Sequence, residues 1–139
     1  MLEQAIIIAA EAHKKQVDKS GKPYILHPIR VMLNVETKDE MICAVLHDVI
    51  EDSKVKPKDL LEKGFTLEII EAILSVTKNP DDKDYFDFIE RAKKNPIGRK
   101  VKIADLNDNL DISRIDNPKE NDYERMEKYR KALLLLETD

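Results

Sequence analysis

The chain has 139 residues, the size of one ordinary domain, with 42% apolar and 37% charged residues, a globular rather than a disordered balance. Three glycines and no tryptophan argue against a β-sandwich or barrel built on many tight turns, and the weight of Glu, Lys, Leu, Ile and Ala points to helices. A net charge of −4 argues against a general nucleic-acid binder, a single cysteine (Cys43) excludes an internal disulfide, and no run approaches the roughly 20 apolar residues of a membrane span.

The N-terminus reads MLEQAIIIAAEAHKK. Acidic residues flank its short apolar stretch, where a secretory signal would have a basic start and a small-residue cleavage site, so a cytoplasmic protein is expected. The first helix is predicted from about Leu2 to Gln16, with Ile6, Ala9, Ala10 and His13 recurring at helical spacing. In VDKSGKPY the turn residues Asp18, Ser20, Gly21 and Pro23 predict a loop. A second helix should open at His27-Pro28, since proline suits the first helical position. Lys14, Lys15, Lys19, Lys22 and Arg30 crowd the segment around His27, as either a phosphate-facing rim or a solvated basic loop.

Thr37 with Glu40 fits a capping box, and MICAVLHDVIED behind it is apolar on almost every face, as suits a helix buried at the centre of a bundle. Pro57 should start a short helix that Gly64 ends. Thr66 should start another, carrying Leu67, Ile70, Ile73 and Leu74 into SVTK, and a sixth spans about Tyr85 to Lys94. Pro96 and Gly98 are expected to break the chain before RKVKIADLNDNLDISRI, a further buried helix. Asn117-Pro118 marks a turn, and Asn121 can cap a final helix with Tyr123, Met126, Tyr129, Leu133 and Leu136 as its inward stripe. There is no internal repeat, low-complexity tract or dividing linker. One all-α domain over residues 1–139 is expected, with no apolar stripe left over as an interface.

The segment LHDVIEDS sets His47, Asp48, Glu51 and Asp52 in an otherwise apolar helix, where buried charge is costly unless paired or metal-bound. His47 and Glu51 are four apart, as are Asp48 and Asp52, so each pair stacks along neighbouring faces. Alone, that pattern also fits a helix end meeting solvent. Two more segments supply the missing donors: His27 in PYILHP and Asp105 in KVKIADLNDNL. His27, His47, Asp48 and Asp105 give two imidazoles and two carboxylates, suited to Mn²⁺, Fe²⁺ or another borderline-hard ion rather than a cysteine-rich structural zinc. Four protein ligands leave a six-coordinate ion room for water and a phosphate oxygen. Such an ion lowers the pKa of its water and polarises a phosphoryl group, which makes a one-metal phosphohydrolase the expected class.

Glu51 and Asp52 lie one turn from these ligands, where general-base work needs a carboxylate; the alternative is charge balance at a helix end. Cys43, four residues before His47, is a buried free thiol or a group pointing at the metal. Lys19, Lys22 and Arg30 are phosphate contacts or surface charges. Lys78 and Lys102 divide the same way, with Lys102 also placed to partner an acidic side chain. Tyr129 reads as core on the last helix.

Together, AHKKQVDKSGKPYILHP, LHDVIEDS, VTK and KIADLNDNL resemble the HD-domain hydrolases of the Rel/SpoT type, and more closely the stand-alone small alarmone hydrolases, which remove the 3′-pyrophosphate from (p)ppGpp. The resemblance covers nearly the whole chain in the right order. It implies a single compact HD-domain helical bundle, with Mn²⁺ bound by His27, His47, Asp48 and Asp105. It implies that Glu51 and Asp52 orient or deprotonate the attacking water, that Asn109 lies close to water and nucleotide, and that an aromatic at Tyr129 lines the nucleotide pocket. Asn109 follows Asp105 by four residues, on the same helical face. The expected reaction converts ppGpp or pppGpp to GDP or GTP plus pyrophosphate. The length leaves no room for a synthetase domain, so alarmone synthesis is not expected.

Two stretches depart from the family. Its loop reads RKxG, with an arginine that stacks on guanine, whereas this chain has Asp18 there, followed by Lys19, Ser20 and Gly21. Its ADRLHN becomes Asp105, Leu106, Asn107, Asp108 and Asn109 after Ala104. Two alternatives therefore stand beside the first reading: an HD-type phosphatase for another nucleotide such as NADPH, which Asp18 favours, and a metal-bound nucleotide sensor without turnover, against which the Glu51-Asp52 pair speaks.

Overall fold

Helix caps written in the sequence divide the chain much as expected. In the computed structural model, which describes every residue from Met1 to Asp139, nine α-helices and one 3₁₀ turn account for the regular structure. The helices are α1 (Leu2–Ala12), α2 (Leu26–Leu33), α3 (Lys38–Leu46), α4 (Val49–Asp52), α5 (Pro57–Glu62), α6 (Leu67–Ser75), α7 (Tyr85–Lys93), α8 (Pro96–Asn109) and α9 (Glu120–Glu137). Thr37 Oγ1 accepts from the Glu40 amide at 3.1 Å while Glu40 returns a carboxylate oxygen to the Thr37 amide, completing the predicted capping box. Thr66 caps α6, and Gly64, at φ +98°, closes α5 in the left-handed region that a side chain would resist.

Helix α3 is the axis of the bundle and packs against α1, α2, α6 and α8. Its Ile42, Cys43, Ala44, Val45 and Leu46 are all buried, which explains a segment apolar nearly all round. A smaller cluster of Ile89, Leu106, Ala132 and Leu136 ties α7, α8 and α9 together. No helix is long and apolar enough to cross a membrane.

Several boundaries differ from the sequence-based expectation. Helix α1 stops at Ala12 rather than Gln16, because His13 caps it and Lys15 turns into the left-handed region at φ 69°. Helix α2 opens at Leu26, and Pro28 falls third in the first turn, where its missing N–H has no helical partner to lose. The greasy helix is not continuous: it breaks at His47–Asp48, with Asp48 at φ −104°, ψ 0°, before the single turn of α4. Helix α8 begins at Pro96 instead of after Gly98. Asn95 caps the Gly98 amide at 2.8 Å, and Gly98 sits inside the helix because a Cβ there would lie 2.0 Å from Ser75 Oγ. The same helix ends at Asn109, and the ISR segment forms the 3₁₀ turn (Ile112–Arg114), capped by Asp111. Lys119, not Asn121, is the N-cap residue of α9, its amide held by Asp122 at 2.9 Å. Tyr123 is 56% exposed and lies off the inward stripe.

Candidate metal centre and its cleft

Three separate elements deliver the acidic and imidazole groups to one place. The first turn of α2 carries His27, the break between α3 and α4 carries His47 and Asp48, and the last two turns of α8 carry Lys102, Asp105, Asp108 and Asn109. One ligating atom each from His27, His47 and Asp48 lies within 4.8 Å of the others. Asp105 Oδ1 is 2.9 Å from His27 Nε2 and 3.4 Å from His47 Nε2, so the fourth predicted donor stands beside the three. The kink that ends α3 is what allows adjacent His47 and Asp48 to converge: their closest approach is 3.1 Å, from Nε2 to Oδ2.

The hydrogen bonds fix which ring nitrogen each histidine presents. His47 Nδ1 lies 2.6 Å from the Ala44 carbonyl and His27 Nδ1 lies 2.6 Å from Asp108 Oδ2; both partners accept only, so both Nδ1 atoms must donate. That leaves the two Nε2 atoms facing the carboxylates. His47 Nε2 is fully buried and makes no hydrogen bond despite its acidic neighbours. A buried polar atom without a partner is rare, and here the donor set of two Nε2 atoms and two carboxylates fits a divalent cation.

The charges agree with this reading. Burial alone pulls both imidazoles down, but Asp105 and Asp108 outweigh it for His27, and Asp48 and Asp105 hold His47 well above the ordinary range. Burial pushes the carboxylates up, yet His47 brings Asp48 to about 2, and Lys102 with His47 holds Asp105 well below normal. The cluster therefore demands compensating positive charge, supplied by protons on the imidazoles or by an ion.

Two contributors were not singled out from the sequence. Tyr24 donates to Asp48 Oδ2 at 2.5 Å, and burial with the nearby Asp48 pushes its phenol above its usual range. Asp108 backs His27 and is held in turn by Arg30 Nε at 2.8 Å and Arg114 Nη1 at 3.1 Å. Tyr24 lies three residues before His27 at the same loop-to-helix junction, and Asp108 lies three after Asp105, spacings that could have flagged both.

The other predicted residues divide. Glu51 lines the cleft above the cluster and accepts the Lys78 amide at 2.5 Å through Oε1. Asp52 turns toward the segment that follows α1, where it accepts from Gln16 at 3.1 Å, and it does not line the cleft. Asn109 Nδ2 bonds Asp105 Oδ1 at 3.2 Å. Lys102 Nζ pairs with Asp105 Oδ2 at 2.8 Å, the structural partnership foreseen for it. Cys43 is fully buried, and burial pushes its thiol up.

The cleft has two lobes that share Tyr24, His27, Asn109 and Tyr129. The inner lobe, about 240 Å³, contains the cluster with Glu51, Lys78, Tyr85 and Lys128. The outer lobe, about 380 Å³, runs over Lys19, Arg30, Arg114, Arg125 and Met126. Lys22 lines neither lobe. Its amide and that of Ser20 are both held by Asp18 Oδ1, so the aspartate organises the loop on which Lys19 stands. Tyr129 is half-buried, reaching from the core to both lobes.

The floor of the helical bundle gathers His27, the adjacent His47 and Asp48, and Asp105, the donor set expected from the resemblance to HD-domain hydrolases. Comparison with known proteins then narrows the likeness. No protein-family model matches the chain. It is 38% identical over 81 residues to the bifunctional (p)ppGpp synthase/hydrolase SpoT of Escherichia coli K12, a match covering 55% of this chain and 11% of that one. It is 28% identical over 120 residues to the guanosine-3′,5′-bis(diphosphate) 3′-pyrophosphohydrolase of Aquifex aeolicus, covering 78% of this chain and 17% of the relative. The chain thus spans only a small part of the length of these curated relatives. A solved structure of a metazoan ortholog of SpoT, described as hydrolysing ppGpp and playing a role in starvation responses, superposes with a TM-score of 0.79 over 97% of this chain and 84% of that one, at 23% identity. The chain resembles Rel/SpoT-type HD hydrolases in sequence and shares the fold of that neighbour.

Proposed function

We propose that residues 1–139 form one Mn²⁺-dependent domain that hydrolyses the 3′-diphosphate of ppGpp or pppGpp, yielding GDP or GTP and pyrophosphate. The observation that carries the proposal is the buried, unbonded His47 Nε2, facing Asp48 and Asp105 at the floor of a cleft with a basic rim. The names of the relatives support the substrate. His27, His47, Asp48 and Asp105 would hold the ion, which supplies an acidified water and polarises the phosphoryl oxygen. Glu51, whose Oε1 is tied to the Lys78 amide, keeps Oε2 for the proton of the attacking water. Asp52 supports this helix turn through Gln16 and acts at one remove from the reaction. Asn109 steadies Asp105 and faces the nucleotide. Lys19 and Arg30 give the outer lobe its positive charge, Lys22 adds to that field from outside it, and Tyr129 offers a ring surface to the nucleoside. In the balanced reaction, water oxygen bonds to the phosphorus carried on O3′, the O3′–P bond breaks, and O3′ leaves with a proton.

The test is incubation of ppGpp with the protein and Mn²⁺, resolved by anion exchange, with Asp48→Asn as control. Matched GDP and pyrophosphate, absent in the control, is the expected result; intact ppGpp with metal bound would overturn the substrate. A second reading keeps the chemistry and changes the nucleotide, and Asp18 favours it, because its carboxylate is committed to the loop and offers no cationic face to a purine. Release of orthophosphate from NADPH or another member of a nucleotide panel, with ppGpp left intact, is its signature. Tight nucleotide binding with no product at all would mark a sensor.

A further inference from the structure

His13 is a buried imidazole for which the cleft chemistry has no use. It caps the end of α1 with 2% of its surface exposed, and its Nε2 is buried without a hydrogen-bond partner. A buried polar atom left unpaired is unfavourable, and an apolar ring in its place would avoid that, so core packing alone gives no reason for an imidazole here. The other ring nitrogen gives one. Nδ1 lies 2.8 Å from Gln16 Oε1, and Gln16 Nε2 lies 3.1 Å from Asp52 Oδ2. A carboxylate only accepts, which turns the amide nitrogen of Gln16 to Asp52 and its oxygen to His13, so Nδ1 donates. The result is a directed chain of hydrogen bonds from the end of α1 to the last residue of α4.

Helix α4 needs such support. It is one turn of four residues, too short to be stable by itself, and no side chain caps its start. Its orientation is set from outside: Tyr24 holds Asp48 at 2.5 Å, Gln16 holds Asp52, and the Lys78 amide holds Glu51. His13 underlies the first two tethers together, because its ring packs on that of Tyr24 with centroids 5.0 Å apart. Gln16 is fixed on both sides of its backbone, its amide donating to the His13 carbonyl at 3.0 Å and its carbonyl accepting the Tyr24 amide at 2.9 Å. We infer that His13 is a positioning residue: through Gln16 and Tyr24 it sets the angle of α4, and with it the direction in which Glu51 meets the attacking water. The inference rests on the reading of Glu51 as the group that takes the proton of that water, and deepens it. Misplacing a reacting group by about 1 Å can slow a step by as much as about 10²-fold, so a residue remote from the substrate can act on the rate.

Four variants test this. His13→Phe keeps a ring against Tyr24 and loses the donor, His13→Asn keeps an N–H near the place of Nδ1 and loses the ring, Gln16→Met cuts the chain at its next link, and the last combines His13→Phe with Gln16→Met. Rates are measured at saturating Mn²⁺ on whichever nucleotide of the panel the protein hydrolyses. His13→Phe and Gln16→Met should each lower kcat about tenfold, the effect of one hydrogen bond lost from the reacting state. KM should move less than about twofold in His13→Phe, and His13→Asn should keep kcat within about threefold although it melts below His13→Phe. The double variant should lose no more than either single one, since both cut one chain. A second readout needs no turnover: in metal-free protein, the Gln16 side-chain amide protons, followed by ¹H–¹⁵N correlation, should exchange slowly in wild type and His13→Asn and fast in His13→Phe. Rates that simply follow melting temperature would overturn the positioning role, as would losses that multiply in the double variant or amide exchange alike in all three proteins. A protein inert toward ppGpp that shows this ranking on another nucleotide refutes the alarmone reading and keeps the role of His13. Hydrolysis of ppGpp with kcat indifferent to His13 does the reverse, and no turnover of any nucleotide overturns both.

Discussion

Removing the Asp108 carboxylate should weaken metal binding more than it weakens the fold. The group is only 8% exposed and accepts charge-assisted bonds from three side chains: His27 Nδ1 at 2.6 Å, Arg30 Nε at 2.8 Å, and Arg114 through Nη1 at 3.1 Å and Nη2 at 3.2 Å. The two guanidinium partners keep 32% and 26% of their side-chain surface in water, so losing each costs no more than a surface pair, about 0–1 kcal/mol. The buried His27 bond is worth about 1.5–3 kcal/mol. Asp108→Ala should therefore lower stability by about 1.5–5 kcal/mol, measurable as a shift in Tm. Its second effect is specific. Without an acceptor at Nδ1 the His27 ring is free to rotate or change tautomer, and outer partners of metal-bound histidines contribute about 10–100-fold to affinity. Mn²⁺ titrations of metal-free protein, read against a competing chelator, should show that loss for Asp108→Ala. Asp108→Asn keeps a carbonyl acceptor and should lose about tenfold at most. An alanine variant that melts early yet binds Mn²⁺ like wild type would refute the positioning role and leave Asp108 purely structural.

Other expectations follow from single contacts. Gly98→Ala puts a Cβ 2.0 Å from Ser75 Oγ, itself bonded to the Ala72 carbonyl at 2.6 Å, and should cost about 1–3 kcal/mol in denaturant titration. The double variant with Ser75→Ala should recover most of it, and an unchanged midpoint for the single variant would show that the helices simply part. Lys102→Met leaves buried Asp105 without its cation and should destabilise metal-free protein by about 3–5 kcal/mol; a melting curve equal to wild type would mean that the imidazoles alone neutralise Asp105. Glu51→Gln should retain Mn²⁺ while slowing turnover by about 10²–10⁴-fold, and undiminished turnover would remove Glu51 from the chemistry.

Helix existence was legible where a cap and a period coincided, as at Thr37 with Glu40 and at Thr66 before the Leu67, Ile70, Ile73 stripe. It failed where tertiary contact overrode a local rule. Gly98 reads as a breaker until Ser75 is seen to occupy the space a Cβ would need, and Tyr123 keeps helical register with Met126 although it is 56% exposed. The convergence of the proposed metal donors was legible because imidazole and carboxylate are costly among apolar neighbours, and that cost shows in the sequence itself. Their support was not. Tyr24 and Asp108 sit in polar stretches where such residues need no explanation, and only the fold shows that each points inward. The continuous helix expected over MICAVLHDVIED also hid the reason adjacent His47 and Asp48 can face one point, which is the break between them.

The same comparison gives meaning to the two places where this chain departs from the family it resembles. Asp18 looks adverse in a phosphate-facing loop if its charge is imagined free. In the fold it is a turn former that holds the Ser20 and Lys22 amides and leaves Lys19 at the lip of the outer lobe, while Ser20 Oγ donates to the Arg114 carbonyl at 2.5 Å and binds the loop to the 3₁₀ turn. Arg114 in turn reaches Asp108, and Asp108 reaches His27. The two departures are therefore ends of one hydrogen-bonded path from the loop lining the outer lobe to a proposed metal ligand. A substitution at Asp18 acts on loop order before it acts on charge. Asp18→Arg, which restores the family's residue type alone, should loosen that path and weaken nucleotide binding; a gain in ppGpp affinity from the single change would show that the loop keeps its shape without the aspartate.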